Sequence, residues 1–259
     1  MNGAKYWDHA WNPVIGCVKI SEGCEHCWAE RMAYQKRMVV AFSTPTATRK
    51  NPPKSGVVFV GNMTDLFGEW NTDREIYNWL AELSSNAINL ILTKRAERYD
   101  SLDLGFHLDK WFGVTAENQK RLEERYFHLW RSGVEKRWLS LEPLLGPIDL
   151  RNVEEYTPHP YGIREHDLWL NRDLMKGIAY HQCGGWEDTD LIPSWVVVGS
   201  ESGPQRRPCN VEWVRSIVWQ CQAAGVPVFV KQLDLDGKLV TDITKFPEDL
   251  QVRETPWGK

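Results

Sequence analysis

Six short, nearly continuous apolar runs set the tightest limit on what this chain can fold into. They are Val57-Val58-Phe59-Val60, Asn89-Leu90-Ile91-Leu92, Trp111-Phe112-Gly113-Val114, Lys136-Arg137-Trp138-Leu139, Trp195-Val196-Val197-Val198 and Val226-Pro227-Val228-Phe229-Val230. Strands without polar–apolar alternation are covered on both faces, as in the parallel sheets of α/β proteins. Helical spacing of apolar residues predicts helices over about 73–87, 117–131 and 211–224, and another after Cys27. With a short strand expected before Cys17, there are six or seven βα-type units. That suits a partial or complete (β/α) barrel of parallel strands. At 259 residues a single barrel domain spans the chain. Residues 147–191 break the rhythm with Pro, Gly, His and charge, and read as an irregular insertion or lid. Residues 233–259 read as a peripheral tail.

Composition removes several classes. A chain that is 42% apolar and 25% charged is neither disordered nor collagen-like. No apolar run approaches the roughly 18 residues of a membrane helix, and the start, MNGAKYWDHAWNP, has no secretory signal, so a cytoplasmic protein is expected. Acidic residues outnumber basic ones 35 to 31, which argues against a wide grip on duplex DNA. Local basic text remains, in Arg49-Lys50-Asn51-Pro52-Pro53-Lys54 and Arg206-Arg207. Fourteen Trp is several times the ordinary share; most are expected as core filler, while some are suited to stacking a planar ligand.

Each strand run ends in polar residues: Asn62, Met63, Thr64 and Asp65; Thr93, Lys94 and Arg95; Thr115 and Glu117; Ser140 and Glu142; Glu201 and Ser202; Lys231 and Gln232. Strand ends are often polar because they are exposed. In a parallel barrel, however, carboxyl ends gather on the face where ligands bind, so the set points to a shared site.

Three of the six Cys crowd into Cys17-x6-Cys24-x2-Cys27, ahead of a helical stretch. Three readings are open. A structural zinc site needs a fourth ligand, from His26 or farther away. A redox Cys24-Glu25-His26-Cys27 pair leaves Cys17 without a role. An iron–sulfur cluster takes closely spaced thiolates, and three of them on four irons leave one iron open for a ligand.

The three Cys before a helix and the βα order resemble the radical S-adenosylmethionine superfamily. More closely, WNPVIGCVKISEGCEHCWAERMA, VGNMTDLFGEW, LILTKRAERY, WFGVTAEN, LSLEPLLGPIDL, VVVGSESGPQRRP and GVPVFVKQ resemble the phage Gp37/Gp68-type proteins, the DUF5131 group, over about 7–150 and 190–233. The superfamily's usual spacing is C-x3-C-x2-C, so the first gap here is longer. The resemblance implies a [4Fe–4S] cluster on Cys17, Cys24 and Cys27, with S-adenosylmethionine on the fourth iron through its amino and carboxylate groups. His26 would pack near the adenine, and Trp28 would be a further cofactor-binding residue. The loop Asn62-Met63-Thr64-Asp65 would meet the methionine amino group, with Asp65 as acceptor. Thr93, Thr115, Glu117, Ser140, Ser202 and Gln232 would complete the cofactor surface. Lys94, Arg95, Glu142, Glu201 and Lys231 would carry the chemistry. The implied reaction is reductive cleavage of S-adenosylmethionine to a 5′-deoxyadenosyl radical that acts on a substrate. The phage connection points to a nucleoside or nucleic-acid base, in DNA modification, with a reductant protein and a partner encoded nearby. Two rivals stand beside it: a zinc-stabilised binding module without enzymatic activity, and methyl or aminocarboxypropyl transfer from the same cofactor.

Overall fold

Each of the six apolar runs forms a strand of one sheet, and the residues flanking them explain the rest. The computed structural model describes residues 4–48, 50–157, 168–180 and 186–258. In order, the elements are β1 (His9–Trp11), β2 (Val14–Ile15), α1 (Trp28–Gln35), β3 (Thr46–Ala47), β4 (Gly56–Val60), α2 (Asp73–Glu82), β5 (Ala87–Thr93), β6 (Trp111–Thr115), α3 (Gln119–Arg131), β7 (Arg137–Leu141), β8 (Val153–Thr157), β9 (Leu168–Asp173), β10 (Ile178–Tyr180), β11 (Trp186–Asp188), β12 (Trp195–Gly199), α4 (Val211–Ala224), β13 (Val228–Leu235) and β14 (Lys238–Val240). The main sheet runs β1-β4-β5-β6-β7-β12-β13-β14. It is parallel except for the final β13–β14 hairpin.

The sheet is curled into a half-barrel, and one ring shows it. Tyr6 lies 6.2 Å from Phe59 on β4, 6.1 Å from Trp138 on β7, 5.1 Å from Trp195 on β12 and 5.4 Å from Phe229 on β13. In a flat sheet β4 and β13 would stand about 24 Å apart. The concave face is therefore filled with aromatics from Tyr6 to Trp257. The convex face buries Val58, Val60, Ile91, Val114, Leu139, Val196 and Val228 under Ile76 and Leu80 of α2, Leu122 and Tyr126 of α3, and Val214 and Ile217 of α4. With both faces buried, the strands have no reason to alternate.

Three expectations need correction. Residues 147–191 are not irregular: their described part contains a four-stranded antiparallel sheet, β11-β10-β9-β8. β8 lies against α3, and the segment leading into it is tied to both α3 and α4, where Gln119 donates to the Asn152 carbonyl at 3.0 Å and the Gln220 side chain accepts from the Leu150 amide at 2.8 Å. The sheet takes the place of a crossover helix between β7 and β12. Its hairpin is set by Asp173, which accepts from the Met175 and Lys176 amides, and by Gly177 at φ +65°, where a Cβ would strike the Thr189 carbonyl. Residues 233–259 are not peripheral. Leu233, Phe246 and Leu250 are buried, and Trp257 packs 4.9 Å from Trp195 and 5.5 Å from Trp111, closing the amino-terminal end of the half-barrel. The helix expected over 73–87 stops at Glu82, because Ser84 turns the chain, accepting from the Asn86 amide and donating to the Lys54 carbonyl. Arg49 and Cys183 lie outside the described residues.

Removing the ring at the centre of the curl is costly. Tyr6→Ala is expected to lower unfolding stability by about 3–5 kcal/mol in a denaturant titration. A loss below about 1 kcal/mol would mean the aromatic interior does not hold the curvature.

Candidate functional site

The carboxyl ends of five strands converge on the loop that carries Cys17, Cys24 and Cys27. Just past β1, Asn12 begins the attachment: its amide donates to Asn62 Oδ1 at 2.8 Å and its oxygen accepts from the Met63 amide at 2.8 Å. Gly16 continues it, donating to the Met63 carbonyl (3.1 Å) and accepting from Thr64 Oγ1 (2.7 Å). Past β5, Arg95 Nη2 donates to the Val18 carbonyl at 2.9 Å. Past β6, Glu117 Oε1 accepts from the Ser21 hydroxyl at 2.7 Å, while Asn118 and Arg121 hold Glu22 at 2.6 and 2.7 Å. Past β12, Glu201 hydrogen-bonds His26 Nδ1 at 3.1 Å. Gly23 is needed here, because a Cβ would fall 2.2 Å from Glu117 Oε1.

These attachments consume most of the polar strand ends. Both Asp65 oxygens are occupied, by Thr93 Oγ1 (2.7 Å) and the Phe67 amide (3.1 Å) on one side, and by the Lys94 amide (3.0 Å) and Arg95 Nη1 (3.4 Å) on the other. Arg95 is buried with its guanidinium 4.8 Å from the Trp70 ring. Glu117, fully buried, pairs with Arg125 at 2.8 Å, and Arg125 also donates to the Thr115 carbonyl. Gln232 turns to the Ser200 carbonyl at 2.6 Å. Glu201 is clamped by Arg207, whose Nε donates at 3.0 Å and whose amide donates at 2.8 Å. Burial opposes the charge on Glu201, but Arg207 and His26 outweigh it and hold the carboxyl below its ordinary value. Asp65, Thr93, Arg95, Glu117, Glu201 and Gln232 therefore position the loop and the strand ends.

A smaller set faces the inside of the half-barrel's mouth. Lys94 stands 3.8 Å from Glu117 Oε1, and Lys231 pairs with Glu142 at 2.9 Å. Ser140 is buried below Glu142 on the same strand face. Ser202 lies apart from them, lining with His26, Cys27 and Arg31 a cleft of about 230 Å³ outside the mouth. Trp28 and Met63 pack with Cys17 and Cys27 into a small apolar cluster under the loop.

The three thiols form no disulfide and are each half-buried. Burial, then the nearby Asp65 carboxylate, pushes the Cys17 thiol up to about 12, and Cys24 and Cys27 add to the rise. Cys24 moves the other way: burial opposes the thiolate, but the Lys94 charge and hydrogen bonds at Ile20 and Ser21 bring its pKa below the ordinary value. Among the described residues no three His, Cys, Asp or Glu side chains are grouped to hold one metal ion. The structure places three free thiols on one loop, with Lys94 beside Cys24; a polynuclear cluster would take each thiolate on a different iron.

The profile of DUF5131, described as a protein of unknown function, matches residues 2–245. The chain belongs to the DUF5131 family. No curated protein and no solved structure matches it. In this DUF5131 chain no helix among the described residues is long and apolar enough to cross a membrane. The attachments through Asn12, Ser21, Glu22, Asn118, Arg121, Arg125 and Arg207 were not foreseen from the sequence. Asn118 had a visible signal as the cap of α3, accepting from the Arg121 amide at 3.1 Å. Arg207 had none, and it is no free basic patch: it bridges Glu201 and Glu25.

The opposite shifts at Cys17 and Cys24 set an order of reactivity. A lowered pKa means more thiolate at a given pH, so in metal-free protein at pH 7.5 iodoacetamide should label Cys24 before Cys17. Lys94→Met should slow Cys24 labelling several-fold, as followed by peptide mass spectrometry. Equal rates at the two thiols would contradict this electrostatic arrangement.

Proposed function

We propose that this protein is a radical S-adenosylmethionine enzyme acting on a nucleoside or nucleic-acid base. The observation that carries the reading is the placement of three free cysteines on a single loop, stitched over the carboxyl ends of a parallel half-barrel whose other end is closed. Cys17, Cys24 and Cys27 would hold a [4Fe–4S] cluster. When bound, that group supplies the electron that breaks a carbon–sulfur bond of S-adenosylmethionine, releasing a fragment able to take hydrogen from a substrate.

The chain's own residues do the rest. Lys94 offsets thiolate charge at Cys24 and offers an ammonium to the cofactor carboxylate. Asp65, which accepts four hydrogen bonds within the chain, would hold Lys94 and Arg95 in place and leave the cofactor ammonium to another acceptor. His26 is fixed by Glu201 at the edge of the loop, and its ring orientation follows from that bond. The aromatic interior bars water from below. Glu142 and Lys231 face the space where a substrate would enter.

Anaerobic purification with metal and sulfide analysis tests the reading. We expect about four irons and four sulfides per chain, lost in Cys17→Ala, Cys24→Ala and Cys27→Ala, with 5′-deoxyadenosine released under reducing conditions. Stoichiometric zinc with no reconstitutable cluster would overturn it in favour of a zinc-bound module. Methylthioadenosine or S-adenosylhomocysteine as the product would keep the cofactor but replace hydrogen abstraction with group transfer.

A further inference from the structure

The polar groups at the strand ends divide into those with partners on several sides and those with capacity to spare. Asp65, Glu117, Glu201 and Arg95 each bridge at least two elements. Glu142 and Lys231 differ. They sit on the concave face, two residues beyond Ser140 and Phe229 on their strands, and make an ion pair with each other at 2.9 Å. Among the described residues neither side chain makes another hydrogen bond or ion pair. A carboxylate offers about four acceptor sites and an ammonium three donors, so most of the pair's capacity is unused. Side-chain exposure of 21% for Lys231 and 10% for Glu142 leaves them reachable from the mouth. Gly199 keeps that room: a Cβ there would lie 3.0 Å from Glu142 Oε1.

The pair also selects a ligand chemistry. An anion drawn to Lys231 would be repelled by the carboxylate beside it, and a cation drawn to Glu142 would meet the ammonium. A ligand without net charge satisfies both, and against the aromatic rings that flank the pair the planar form of it is a neutral edge with a donor next to an acceptor. A trans peptide points its N–H and C=O to opposite sides and cannot offer that edge. A ring lactam can. Its ring N–H is more acidic than an exocyclic amine, which suits a carboxylate acceptor, and its carbonyl suits an ammonium. The flank is aromatic: Lys231 stands 5.6 Å from the half-buried Trp7 ring and 5.9 Å from Tyr6. Trp7 is itself held edge-on by Tyr6 at 4.7 Å and Phe59 at 5.2 Å, which fixes a surface for a planar ring.

The geometry points to Glu142, Lys231 and Trp7 as a binding site for the lactam edge of a nucleobase, guanine, uracil or thymine, with Glu142 accepting from the ring N–H and Lys231 donating to the adjacent carbonyl. This rests on the substrate side of the proposed function, and it reads the pair as groups that bind and orient the base.

Calorimetric titration of the full-length, cluster-reconstituted protein with nucleosides tests it. Uridine, thymidine and guanosine are expected to bind at least about tenfold more tightly than adenosine and cytidine, and 3-methyluridine and 1-methylguanosine should lose at least about tenfold. Glu142→Gln and Trp7→Ala should each weaken uridine binding by a similar factor while iron content stays at the wild-type level. Adenosine binding as tightly as uridine, or methylated analogues binding unchanged, would overturn the assignment; the ligand series decides this even if a variant fails to fold. Tighter binding of oligothymidylate than of thymidine would place the base in a strand, and the reverse would make it a free nucleoside; both retain the lactam site. A protein with four irons that binds none of these nucleosides loses this inference and keeps the cluster reading. One that binds uridine by the edge rule but assembles no cluster does the opposite.

Discussion

The contact of Tyr6 with rings from β4, β7, β12 and β13 is the constraint on which the rest depends. A sheet that curls round one aromatic centre has an inside and an outside, and Trp257 on Trp195 closes one end of the inside. Apolar side chains, most of them rings, occupy the lower part of the inward strand faces, so polar side chains are confined to the carboxyl ends. Trp138 and then Ser140 and Glu142, like Phe229 and then Lys231, show the change within a few residues of one strand. The hydrophobic interior thus places the chemistry at a single open mouth.

Over that mouth, the cysteine loop has only three residues of 3-10 helix to hold its shape, Glu22–Cys24, so its position comes from the attachments beneath it. Those attachments are buried charges with partners, a costly arrangement to break: a buried pair that loses one member is destabilised by about 3–5 kcal/mol. Glu117 makes the point most clearly, touching Ser21 of the loop, Arg125 of α3 and, at longer range, Lys94 of β5's carboxyl end. A carboxylate so engaged fixes geometry. Lys94, Glu142 and Lys231, with few partners each, are the groups left to meet ligands.

Much of this architecture was legible in the sequence. The apolar runs marked the parallel strands because both faces are buried, and α4 ran over the expected 211–224 because its apolar spacing and its Asn210 cap agree. The antiparallel strands β8 to β11 were not legible: Asp173 is an ordinary local turn residue, and what marks Gly177 is its approach to the Thr189 carbonyl, twelve residues on. Nor was the role of the tail: Trp257 is one of fourteen Trp, and nothing local says that it seals the half-barrel. In the site, the strand-end residues were found as a set, but their division into braces and free groups was not. That division depends on distant partners such as Arg207 for Glu201 and Ser21 for Glu117. Residue type alone made Asp65 look like a ligand-binding carboxylate; its four contacts show a structural one.

The central claim is that the loop presents a cluster with one iron open to S-adenosylmethionine beside Lys94. Electron–nuclear double resonance on the reduced, reconstituted protein, with cofactor labelled by 15N in its amino group and 17O in its carboxylate, tests this most directly. The account predicts hyperfine couplings from both labels, which require those atoms to be bound to the cluster. A cluster signal unchanged by the cofactor, with no coupling from either label, would contradict it.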